Sequence, residues 1–171
     1  MNIPETYDYL IRARRDLWAT LESVPDEVLS RPLLDGSRFH CIKDLVMHIP
    51  DVEDGWIHGD ILREEMVQKK VPALWDTQGG PVYAGVSLET LLDYWRLVEQ
   101  STLTYLPMLT DDGLKRVVVL QDSPEESYTV DGLLWHVMIH EMRHTAQISV
   151  LLRTQGIEPP SVDLLNYLPM A

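Results

Sequence analysis

In this 171-residue chain, His136, His140 and His144 lie four residues apart. A helix through them makes a ridge that drifts by about 40° per step. On the helical wheel His140 and His144 fall beside Leu133, Val137 and Leu151, the apolar residues that face a core, while His136 falls further toward the edge. Two imidazoles one turn apart on an inward face can converge on one divalent ion. Without such a partner, two buried imidazoles leave polar atoms unmet unless local groups satisfy them. Both readings, a metal centre and a pair of core histidines, are open on these residues alone.

A third ligand must come from another segment. His48 is the strongest candidate, because it lies beside the inward stripe of Leu45, Ile49 and Val52 and near the middle of its own helical pattern. His40, near a helix start, and His58, next to Gly59, read as edge or solvent residues. Three histidines from two helices leave a coordination position open, which is the arrangement of a site that acts chemically.

The run His140-Glu141-Met142-Arg143-His144 also matches the His-Glu-x-x-His pattern of zinc peptidases, with Glu141 as base on a metal-bound water. No histidine follows His144, and Glu158 and Asp163 lie beyond the helix end, so that reading lacks a convincing third ligand. Glu141 reads instead as an acceptor for an imidazole N–H or a proton carrier, or else as a partly exposed helix glutamate. Glu53, between one and two turns beyond His48, carries the same ambiguity. Gln147, three residues after His144, can hydrogen-bond into the cavity, and Trp56, two turns after His48, is placed at its mouth. The catalytic candidates are therefore Glu141 and Glu53, and the cofactor-binding candidates Trp56 and Gln147. Cys41 reads as a small buried thiol.

Four long periodic segments must position these groups. The first runs from about Pro4 to Val24, with Tyr7, Leu10, Leu17, Leu21 and Val24 as its stripe; Arg14 interrupts the stripe and is expected to lie along it with its head in water. The second spans roughly Phe39 to Val67, with Ser37 as its expected cap. Pro50 should bend it near Val46, and Gly55 and Gly59 loosen later turns or admit a close neighbour. A long Pro- and Gly-rich connection over 69–85 follows, and then a third helix from Ser87 to about Leu106. Arg116 to Leu120 and Ser127 to Val130 read as a small extended pair. The last helix is opened by Thr129 and closed at Gly156, and a proline-rich tail follows. The expected architecture is an all-α four-helix bundle, one domain over 1–171, with a long loop between helices 2 and 3.

Composition narrows the partners. With 14 Lys+Arg against 27 Asp+Glu, the formal net charge is −13. Such a field repels phosphate backbones and anionic lipid, so neither nucleic acid nor a membrane is an expected partner. No window approaches the roughly 20 apolar residues of a membrane span, and the N-terminal residues do not read as a secretory signal. A lone cysteine excludes an internal disulfide. The default expectation is a cytoplasmic protein acting on a small-molecule substrate.

Taken together, the run Asp44-Leu45-Val46-Met47-His48 followed by Glu53 and Trp56, the run from His136 to Gly156, and the later Pro159-Pro160 and Asp163 resemble the DinB/YfiT-like superfamily, whose members are read as metalloenzymes. The resemblance covers nearly the whole chain. It implies a four-helix bundle whose ligands are His48, His140 and His144, with His136 outside the set. It further implies zinc or nickel as the ion and a homodimer as the assembly. Relatives use low-molecular-weight thiols in S-transferase or isomerase chemistry, which implies a metal-activated thiol, or water, attacking an electrophile. The alternative is a non-catalytic bundle that binds metal or a small ligand. One departure stands out: the family often follows its last histidine with Arg-Gly-Gln, whereas here Thr145-Ala146-Gln147 follows His144. The arginine missing there leaves Arg143 or another local cation to offset an acidic thiol.

Overall fold

The computed structural model describes residues 2–36, 38–74 and 83–168. Helix α1, Ile3–Glu22, starts on a reciprocal cap: Asn2 accepts the Glu5 N–H, and the Glu5 carboxylate accepts the Asn2 N–H. A single turn, α2 (Asp26–Leu29), leads into the irregular link. The second long helix begins as α3, Ile42–Asp54. Ser37, its expected cap, lies outside the described residues. Asp44 opens the helix instead, its carboxylate accepting the N–H groups of His40 and Cys41.

Helix α3 runs through Pro50 and passes directly into a π-helical segment, Gly55–Leu62, which ends at Arg63 in the left-handed region (φ 60°). The departure from α geometry therefore comes at Gly55, after the proline, and not near Val46. A Cβ on Gly55 or Gly59 would meet nothing within 4 Å, so these glycines loosen the turns and admit no close neighbour.

The long connection expected over 69–85 lies partly outside the described residues; within them it makes two 3₁₀ turns, Val67–Lys70 and Pro72–Leu74. Helix α4, Leu88–Tyr105, is capped by the Ser87 hydroxyl, which accepts the Thr90 N–H. After the short α5 (Asp111–Lys115), strands β1 (Val117–Val119) and β2 (Ser127–Thr129) pair antiparallel with Val118 opposite Tyr128. This is the extended pair expected from the sequence. Helix α6, Val130–Thr154, is capped by Thr129, and Gly156 takes the left-handed position beyond its end (φ 76°). The result is an all-α four-helix bundle of α1, α3 with its π extension, α4 and α6. None of the described helices is long and apolar enough to cross a membrane.

Among the described residues the core has two apolar clusters. One gathers Leu17, Leu21, Leu45, Ile49, Trp95, Ile148 and Leu152, and the other Tyr7, Leu10, Ile57, Ile61, Leu134 and Met138. Arg14 sits on α1 between residues of the two. It is 2% exposed, which corrects the expectation that its head reaches water. Its guanidinium donates to Glu141 at 2.9 and 2.6 Å and to Glu99 at 2.8 Å, and stands 3.5 Å from Glu53. Burial opposes its charge, but the adjoining Glu141 and Glu53 hold its pKa well above the ordinary value. A snorkelling arginine has only water for a partner; here α3, α4 and α6 each supply a carboxylate.

Candidate metal centre

His48 comes from the middle of α3, His140 and His144 from consecutive turns of α6. Their three ligand nitrogens lie within 4.8 Å of one another. The ring centroids are 4.8 Å (His48 to His140), 4.9 Å (His48 to His144) and 4.3 Å (His140 to His144) apart. His140 Nε2 and His48 Nε2 approach to 3.1 Å. The Phe39 ring covers the group, 4.4 Å from His48 and 5.8 Å from His144.

Neighbouring groups set the tautomer of His144. Gln147 Oε1, an acceptor, lies 2.6 Å from His144 Nδ1, so that nitrogen donates. Arg143 Nη2, which can only donate, lies 3.0 Å from His144 Nε2, so that nitrogen presents its lone pair. This is the outer support a ligating imidazole requires. Burial first, then the field of His144 and of Arg38 and Arg143, pushes the His48 pKa down to about 4. Burial, His144 and His48 push His140 down to about 3. Burial also lowers His144, against the pull of Gln147. Neutral rings whose nitrogens cluster this closely are what a divalent ion needs, so the donor set fits such an ion.

The other expected residues are distributed around this centre. Gln147 touches His144 directly. Trp56 is half-buried and packs edge-on against exposed His136 at 5.4 Å, and His136 lies 5.8 Å from the His140 ring. Trp56 and His136 line a cleft of about 400 Å³ with Tyr128 and Leu133. Glu53 and Glu141 meet at Arg14, and Glu53 also accepts from the Tyr7 hydroxyl at 2.5 Å and Thr102 at 2.6 Å. One residue's step on a helix is a rotation of about 100°. That step turns Glu141 away from the ridge of His140 and His144, so the imidazole acceptor is Gln147 and not Glu141.

His40 is exposed, as expected, but His58 is buried, which corrects its assignment to an edge. Its Nε2 lies 2.6 Å from Ser101 Oγ. Its Nδ1 stands 2.8 Å from Asp54 Oδ1, off the N–H axis and so without a hydrogen bond. The order Ser101, His58, Asp54 is that of a nucleophile relay. Asp54, however, is already engaged by the Val67 and Gln68 N–H groups and the Tyr94 hydroxyl, so it ties the 3₁₀ turn to the bundle. Periodicity did not disclose this bracing set, because its members come from separate elements.

Comparison with known proteins adds to this geometry. A DinB-family sequence model matches residues 1–171. The structure is similar to that of a DinB-like protein from Bacillus cereus ATCC 10987, with a TM-score of 0.66, 19% identity, and coverage of 94% of this chain and 95% of that one. It is also similar to a conserved protein from Enterococcus faecalis, with a TM-score of 0.67, 17% identity, and coverage of 90% and 96%. No curated protein matches. With the model matched end to end on a helical bundle that carries three converging histidines, the chain belongs to the DinB family.

Proposed function

We propose that this protein is a divalent-metal-dependent enzyme that activates a low-molecular-weight thiol, or water, for attack on an electrophile, as a transferase or hydrolase. The observation that carries this reading is the convergence of His48, His140 and His144 from two helices, with His144 oriented by Gln147. A divalent ion held there lowers the pKa of a thiol or water toward neutrality. Gln147 orients His144, Phe39 keeps water from one side, and the Trp56–His136 cleft leads substrate toward His140. Glu53 and Glu141 act as positioning residues, holding α3 and α6 against α1 through Arg14.

Zinc or nickel is the proposed ion, since imidazole suits both. A cytoplasmic setting agrees with the single buried thiol of Cys41. A homodimer agrees with Ile139 and Val150, exposed on α6, and sedimentation tests it. For the function itself, the natively purified protein is expected to hold about one divalent ion per chain, identified by its X-ray absorption edge. The loaded form is expected to consume thiol in the presence of an electrophile. Stoichiometric metal without turnover across a panel of thiols and electrophiles would leave a non-catalytic binding module.

A further inference from the structure

The chain carries 27 acids for 14 Lys+Arg, and most of its arginines have found a carboxylate. Arg12, Arg14, Arg15, Arg63, Arg96 and Arg153 all lie in ion pairs. Arg31 donates instead to the Gln155 side chain and Arg116 to the Ile61 carbonyl, which leaves Arg38 and Arg143: among the described residues neither makes a carboxylate ion pair, and both are exposed. These two flank the three-histidine centre. Arg143 reaches His144 Nε2 at 3.0 Å. Arg38 lies over the Phe39 ring at 5.6 Å, and that ring is the one packed on His48 and His144.

We propose that Arg38 and Arg143 form an anion clamp at the rim of the three-histidine centre, so that its small-molecule ligand is one that carries a carboxylate. This rests on the reading of the histidines as a metal centre and names the substrate class of that same site.

Two physical arguments support the clamp. In a molecule with a formal charge of −13, an anionic ligand is repelled at long range, so its capture needs concentrated local cations. Arg38 and Arg143 are the cations felt by His48, and Arg143 is felt also by His136, His140 and His144. Asp51 is the acid within electrostatic reach of Arg38, and it lies outside ion-pair contact. The second argument is chemical. Arg143 occupies the same His144 lone pair that a metal ligand must offer, so the guanidinium gives up that nitrogen when an ion binds. Its five donors are then available beside the open position, in a fork that matches a carboxylate.

The test compares two thiols of equal length on the zinc-loaded, full-length protein by titration calorimetry: 3-mercaptopropionate and the neutral 3-mercapto-1-propanol. The wild-type protein is expected to bind the carboxylate thiol about tenfold more tightly, the scale of a charge-assisted hydrogen bond. Arg38→Gln and Arg143→Gln should each remove part of that preference, and the double variant all of it, with the affinity for the neutral thiol kept. Equal affinities in the wild-type protein, or a preference that survives in the double variant, would overturn the clamp while leaving the metal centre intact. Failure of the wild-type protein to take up zinc, measured by elemental analysis, would overturn both readings.

Discussion

Burial lowers the proton affinity of all three clustered histidines, and the consequence is a distinctive response to acid. Three ordinary imidazoles, with pKa near 6.5, lose metal affinity by about six-hundredfold between pH 7 and 5.5 as protons compete. His48 and His140 bind protons only near pH 4 and 3 in this fold, and His144 is lowered as well. The folded apo-protein therefore has few protons to displace at pH 5.5, and metal affinity measured there by calorimetry should fall by far less. Arg14 shows the opposite case of a buried charge. Arg14→Met strands Glu53, Glu99 and Glu141 together and should cost about 3–5 kcal/mol in urea denaturation. Burial raises the Glu53 pKa above its unfolded value, so its contribution is full below the unfolded pKa and is lost as pH rises through the folded one. The Arg14→Met defect should accordingly be milder near pH 4.5 than at pH 7. The sequence disclosed the histidines, His48 among them although it lies 92 residues from His140, because imidazoles on an inward face call for a partner. It did not disclose the Arg14 cluster, because a long stem on a stripe reads as reaching water.

Capping and periodicity made the elements legible wherever the signal was local. Ser87, Thr129 and Gly156 stand where their side chain or backbone freedom is needed, and the ends of α4 and α6 follow from them. The second long helix was harder to read, because a Pro and two Gly point to irregularity without saying which kind. The structure carries α3 through Pro50 and takes up the irregularity as π turns over Gly55–Leu62. His58 faces the interior from those turns, hydrogen-bonded to Ser101 and close to Asp54, a position that a regular helical wheel does not forecast. Since nothing lies within 4 Å of a Cβ built on Gly59, Gly59→Ala should be tolerated. By restricting the unfolded chain it should raise stability by about 0.4–1 kcal/mol, read from the urea midpoint at unchanged slope. A loss of stability instead would show that the π turns depend on the glycine itself.

Across the whole molecule, the three-histidine cluster joins α3 to α6, so an ion bound there would add to the stability of the entire bundle. An ion present at a thousandfold excess over its Kd stabilises the fold by about 4 kcal/mol. For a domain of this size each kcal/mol corresponds to about 2–4 °C in Tm, so removal by a chelator should lower Tm by roughly 8–16 °C in calorimetry. The effect should vanish in His140→Gln, which lacks one of the three ligands, and persist in His136→Gln, because His136 is exposed and outside the cluster. If His140→Gln kept the full metal-dependent shift, an ion would be stabilising the bundle from some other site, and α3 and α6 would owe their contact to apolar packing and the Arg14 cluster alone.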